Sequence, residues 1–225
     1  AWKFFGLDGA GQSLFGLGGV FSNNVLLGIP LAKVALGEAA LPSVALVLVF
    51  NSLTLWTLVT VSVEWARHGS FTAHGFVKTL KAVLTTPIVA SILSGTLFGL
   101  TGLPVLELID QPLAMVGTAA APLAMIVLGM GLAEYGIREG WQISVAITAV
   151  KLLVQPLVVW LLARLLGLPP LETQVVVLLA SLAVGANVYL MARHFKVLEG
   201  PVAGSLLLST MLSAVTTPLI VSLLG

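Results

Sequence analysis

Charge is the scarce quantity in this chain, and its spacing limits the folds open to it. Only 8% of the 225 residues are charged, against 58% hydrophobic, whereas soluble domains carry roughly 25% charged residues. The uncharged stretches are long: Gly9–Ala32, Ala39–Val63, Ala82–Leu106, Gln111–Ala133, Thr173–Ala192 and Gly200–Gly225. One more apolar stretch, Trp141–Leu166, holds Lys151 and, near its end, Arg164. A helix that crosses a bilayer needs about 20 mostly apolar residues. Seven segments, a to g in chain order, therefore read as spans of one all-α, polytopic membrane bundle surrounded by lipid.

The same charges orient the bundle. Lys3, Arg67, Lys78, Lys81, Arg138, Arg193 and Lys196 fall on one side, and only Arg164, with Lys33 at the end of segment a, faces them across the spans. Basic residues in short loops stay inside, so the loops b–c, d–e and f–g are expected in the cytoplasm and the C-terminus outside. Trp56, Trp65, Trp141 and Trp160 lie mostly toward span ends, where indole rings favour the interface. The basic residues form no patch, which excludes a nucleic-acid partner. No cysteine is present, which excludes disulfides and thiolate metal sites. His68, His74 and His194 all fall in expected cytoplasmic loops, and no carboxylate pair lies within a span. No catalytic constellation and no cofactor or metal site is expected, and the chain does not read as an enzyme.

Function in a membrane bundle concentrates where helices break or polar groups are buried. Segment a contains Asn23, Asn24, Gly28 and Pro30. Adjacent amides at membrane depth need partners, and Pro30 leaves the carbonyl of Leu26 unpaired. The segment reads either as a helix unwound near Gly28–Pro30 or as a simple proline kink. Segment f carries Gly185 and Asn187 near its middle and lacks a proline; taken alone, it reads as close packing through small residues. The two segments share more. Each ends in Ala and a basic residue, Ala32-Lys33 and Ala192-Arg193, followed by Glu and Pro, then a long apolar span. Three spans separate the pairs a–b and f–g, so their orientations are opposite. This is the pattern of an inverted repeat, with the site where two interrupted helices meet. Residues 1–66 then close a first repeat, 67–81 connect in the cytoplasm, and 82–225 form a second repeat of five spans. On that count three spans are missing, and about 75–90 residues are expected ahead of Ala1.

The run Asn23-Asn24-Val25-Leu26-Leu27-Gly28-Ile29-Pro30-Leu31 resembles the signature of the auxin efflux carrier family, which includes plant carriers and bacterial malonate-type carriers. Gly37, Asn51 and Trp56, the run Leu128-Gly129-Met130-Gly131-Leu132, and Gly185, Asn187 and Ala192 fit the same pattern. The resemblance extends from about Phe15 to the C-terminus. It implies ten helices in two inverted five-helix repeats, with a site where the fourth and ninth helices, here a and f, cross. It also implies that polar side chains beside the crossing meet a substrate carboxylate, by position Asn23 with Asn24 adjacent, and that a homodimer forms. The plant carriers have prolines in the ninth helix where this chain has Ala183 and Val188, so Gly185 and Asn187 would have to supply the break.

Lys151 is the only charge well inside a span. Its stem can snorkel to the cytoplasmic face, or its ammonium can face the interior, near an anion or in place of a coupling cation. The resemblance favours the second, since the family often has a basic residue there. Gln155 and Pro156 follow within about a turn, and a kink is expected at that point. The resulting expectation is a secondary transporter of a small carboxylate, malonate- or malate-like, in a bacterial inner membrane. A seven-helix receptor or photoreceptor, or a non-transporting membrane subunit, is the alternative. A retinal Schiff base is poorly served, because no counter-ion carboxylate lies in a span interior.

Overall fold

In lipid the backbone must satisfy its own N–H and C=O groups, so an apolar chain of this kind resolves into helices. The computed structural model describes residues 5–68, 81, 87–134 and 140–224. Most of the expected cytoplasmic connection 67–81, with His74 and Lys78, lies outside the described residues, as do Lys3 and Arg138. Ten α-helices are used here as landmarks: α1 (Gly9–Val20), α2 (Ile29–Leu36), α3 (Leu41–His68), α4 (Pro87–Leu100), α5 (Glu107–Glu134), α6 (Trp141–Ala149), α7 (Gln155–Leu165), α8 (Pro170–Ser181), α9 (Ala186–Phe195) and α10 (Glu199–Leu224). Two π turns, Asn24–Gly28 and Val150–Val154, run directly into α2 and α7. Among the described residues, three continuous helices are long and apolar enough to cross a membrane: Glu38–Arg67, Trp141–Leu165 and Glu199–Leu223.

Segments a and f are not continuous. Segment a divides into α1 and the π turn with α2, separated by Phe21–Asn23. Segment f divides into α8 and α9, separated by Leu182–Gly185. The break in segment a thus falls at Phe21–Asn23, ahead of the expected Gly28–Pro30. The reason is local. The π turn widens the helix by one residue, so that Gly28 N donates to Asn23 O at 3.2 Å and Ile29 N to Asn24 O. Pro30 then stands in the first turn of α2, where a missing N–H costs nothing. Pro156 is absorbed in the same way: Val150–Val154 forms the π turn, Gln155 N donates to Val150 O, and Pro156 enters the first turn of α7.

Two apolar clusters flank the breaks. One joins α1, the end of α3, α6, α9 and the start of α10 around Leu14, Leu17, Val63, Ile147, Val188 and Leu206. The other joins α2, the start of α3 and α8 around Ala32, Val44, Val175, Leu178 and Leu182. Lipid tails are as apolar as leucine, so such helices are held by close backbone approach and hydrogen bonds rather than by exclusion of water. A Cβ on Gly204 of α10 would come within 2.6 Å of Ser144 Oγ on α6, and one on Gly18 of α1 within 2.8 Å of Ile147 Cγ2. Ser144 Oγ donates to Pro201 O at 2.8 Å, and Thr148 Oγ1 to Ser205 O at 3.4 Å. At the far end of α3, Arg67 Nη2 donates to Phe195 O, closing the C-terminus of α9 with a cation as a helix dipole favours. Lys33 is well exposed and pairs with Glu38 at 3.0 Å, away from the interior.

Candidate functional site: the crossing of two interrupted helices

The two extended segments pass each other antiparallel. Ser22 and Val184 form a β-bridge, isolated among the described residues. Asn23 N donates to Ala183 O at 3.0 Å, and Gly185 N donates to Phe21 O at 2.8 Å. Val184 N finds Ser209 Oγ of α10 at 3.0 Å. Backbone exposed by the breaks is thereby paired, as burial in an apolar medium requires. Gly185 is needed for the close approach: a Cβ there would stand 2.8 Å from Phe21 Cδ1 and 2.9 Å from Ser22 O.

Four half-helix ends meet at this crossing, and they are treated differently. The two C-terminal ends are closed by protein donors. Val20 O, at the end of α1, accepts from Gln155 Nε2 at 2.7 Å. Ala180 O, in the last turn of α8, accepts from Lys151 Nζ at 2.7 Å, and Ser181 O accepts from Thr217 Oγ1 at 2.9 Å. The two N-terminal ends lack a capping side chain. Asn23 precedes the π turn and Gly185 precedes α9, and neither position provides a side-chain cap bond. Helix α1, by contrast, begins with Asp8 Oδ1 accepting from Gly11 N at 2.7 Å. Uncapped helix N-termini present N–H groups and partial positive charge, the conditions for holding an anion.

The residues singled out from the sequence separate at this point. Asn23 and Asn24 are buried, at 6% and 5% exposure, beside the N-terminal end of the π turn. Asn24 Oδ1 is buried with no hydrogen-bond partner among the described residues. Gly185 lies in the crossing, and half-buried Asn187 is the second residue of α9. Lys151 is fully buried and spends its hydrogen bond on Ala180 O, so it does not snorkel. Gly28 packs toward α8, where a Cβ would come within 2.7 Å of Leu179 Cδ2. Pro30 is exposed. These two shape the helix rather than line the crossing. An open apolar groove of about 450 Å³ between α7, α8 and the end of α10 is walled by Leu153, Leu157, Trp160 and Ile220 among others, and offers a carboxylate no charged partner.

Residues 1–221 match the model of the membrane transport protein family, that of the auxin efflux carriers. The chain belongs to this family. Among curated proteins it is 28% identical over 214 residues to one of Rhizobium meliloti (strain 1021) named "Putative malonate transporter". The alignment covers 92% of this chain and 65% of that relative, so the chain spans less than two-thirds of the relative's length. Membership in a membrane transport family agrees with the apolar helices and assigns the chain to a multi-pass membrane protein.

Several groups at the crossing of this family member were not picked out from the sequence. Ser209 and Thr217 belong to a run of buried hydroxyls, Ser205, Ser209, Ser213 and Thr217, on one face of α10. Their i, i+4 spacing in an otherwise apolar span was the available signal. Gln155, expected only to accompany a kink, holds the end of α1.

Proposed function

We propose that this chain forms the larger part of a secondary carrier, and not an enzyme, that moves a small organic carboxylate across the cytoplasmic membrane by alternating access. The observation that carries this reading is the asymmetry of the crossing: C-terminal ends closed by Lys151, Gln155 and Thr217, N-terminal ends without caps. A carboxylate at the open ends would meet N–H groups and the amides of Asn23 and Asn187, with Asn24, Gly28 and Pro30 shaping the first end and Gly185 the second. Lys151 would add positive potential from behind the carbonyl ends. In this reading the substrate is malonate- or malate-like, which is consistent with the name of the R. meliloti relative. The remaining helices would complete ten in two inverted five-helix repeats, with the C-terminus outside, and the carrier would pair as a homodimer.

Uptake of radiolabelled malonate, malate and succinate into proteoliposomes tests the proposal. Asn23→Ala and Asn187→Ala are expected to lower uptake about 10- to 100-fold, the loss of one or two hydrogen bonds to a charged group. Unchanged uptake in both variants overturns the site.

A further inference from the structure

The open groove of about 450 Å³ between α7, α8 and the end of α10 takes no part in the crossing. The side chains in its walls are uncharged, and Leu153 and Leu157 are each more than half exposed. Arg164 stands one turn beyond Trp160 on α7, and its guanidinium carbon lies 5.8 Å from the centre of the Trp160 ring. Such stacking holds the guanidinium at that end of the groove, while its in-plane N–H groups can take an oxyanion. Arg164 is exposed, and among the described residues no carboxylate pairs with it. From Leu153 in the π turn to Arg164 the chain rises about 16 Å, at 1.5 Å per residue. One leaflet of bilayer hydrocarbon is about 15 Å deep, half of a core about 30 Å thick. The groove with its arginine is therefore as long as one leaflet is deep.

We propose that this groove binds an anionic phospholipid, with one acyl chain lying along α7 past Leu153 and Leu157 and the phosphate on Arg164. A hydrocarbon chain asks for no polar partner, and it supplies the contacts that the lining of an empty gap would lack. The match in length places the headgroup at Arg164 and the chain end beside the π turn. Trp160 then lies just below the headgroup, the level that indole rings favour. A net negative headgroup is preferred because a basic residue near the surface attracts anionic lipid, and the charge of Arg164 is not spent on a carboxylate. The proposal needs only a chain embedded in a membrane, and it stands apart from the carrier reading.

Native mass spectrometry of the intact protein tests this, with phosphatidylglycerol or phosphatidylcholine of the same acyl chains added in detergent. The parent protein is expected to retain phosphatidylglycerol about fivefold more tightly, the factor that one cation near a membrane surface supplies. Arg164→Gln should erase this preference, and Arg164→Lys should keep most of it. Leu157→Trp fills the groove from an exposed position. It should weaken the binding of both lipids without lowering the melting temperature of the protein stripped of lipid. Equal retention of the two lipids by the parent protein overturns the proposal. So does a preference that survives Arg164→Gln, or lipid binding that Leu157→Trp leaves unchanged. The chain has no cysteine of its own, so Leu157→Cys reports whether a second copy covers the groove. It is expected to stay unlinked under oxidation in vesicles, and efficient disulfide-linked dimers there would overturn the proposal in favour of an interface between copies.

Discussion

Segment Phe21–Asn23 is followed by a π turn and a proline, whereas Leu182–Gly185 has neither, yet both leave the helix and pair with each other. In the first segment the adjacent amides and the π turn place the interruption in local sequence. In the second the interruption is tertiary. Gly185 admits the backbone of Ser22, and Ser209 supplies an acceptor for Val184 N–H. One helix is broken by its own residues and the other by its neighbours. A proline is therefore not needed to interrupt a membrane helix, provided that another chain segment takes over the freed backbone groups.

Substitutions in the two segments test this contrast, and the largest effect is expected at Gly185. In Gly185→Val the new side chain meets the Ser22 backbone and the Phe21 ring, which costs about 3 kcal/mol or more. Malonate uptake should vanish and the melting temperature in detergent should fall; a stable, active variant would mean that the crossing tolerates separation. Next, Ser209→Ala strips Val184 N–H of its acceptor, at about 1–3 kcal/mol, read as a lower denaturation midpoint with the first segment intact. Gln155→Leu does the equivalent to the first segment by orphaning Val20 O, whose carbonyl has a second lone pair, so about 1 kcal/mol is expected in the same assay. The smallest effect belongs to Pro30→Ala, within about 1 kcal/mol either way. Since the π turn already accommodates residue 30, uptake should be retained. A large loss there would show that the proline, and not Asn23 and the π turn, holds the break.

The sequence made the apolar segments legible because a charge at membrane depth is costly and seldom placed there without a use. It also marked segment a as irregular, since Asn23, Asn24 and Pro30 are each awkward in an apolar helix. The site of the break was misread by several residues because a π turn moves a proline's consequence along the chain, and periodicity does not reveal it. Segment f, taken alone, reads as close packing through small residues: its Gly185 permits the break, but Phe21, Ser22 and Ser209 complete it. Lys151 shows a related limit. Sequence gives its depth along the helix, but whether the stem rises to the surface or turns inward depends on where the end of α8 lies. The hydroxyl face of α10 was visible as a repeat, and only the fold shows that two of its members serve the crossing.

The contact between the two extended segments consists of one bridge pair with two backbone hydrogen bonds beside it. So short a ladder would serve the proposed carrier as a fulcrum. Helix α1, 12 residues long, extends about 18 Å from it at 1.5 Å per residue, so a tilt of about 10° swings its far end by about 3 Å while the bridge itself scarcely shifts. In the proposed carrier, a small change of angle at the crossing would thereby be magnified along the helices that leave it.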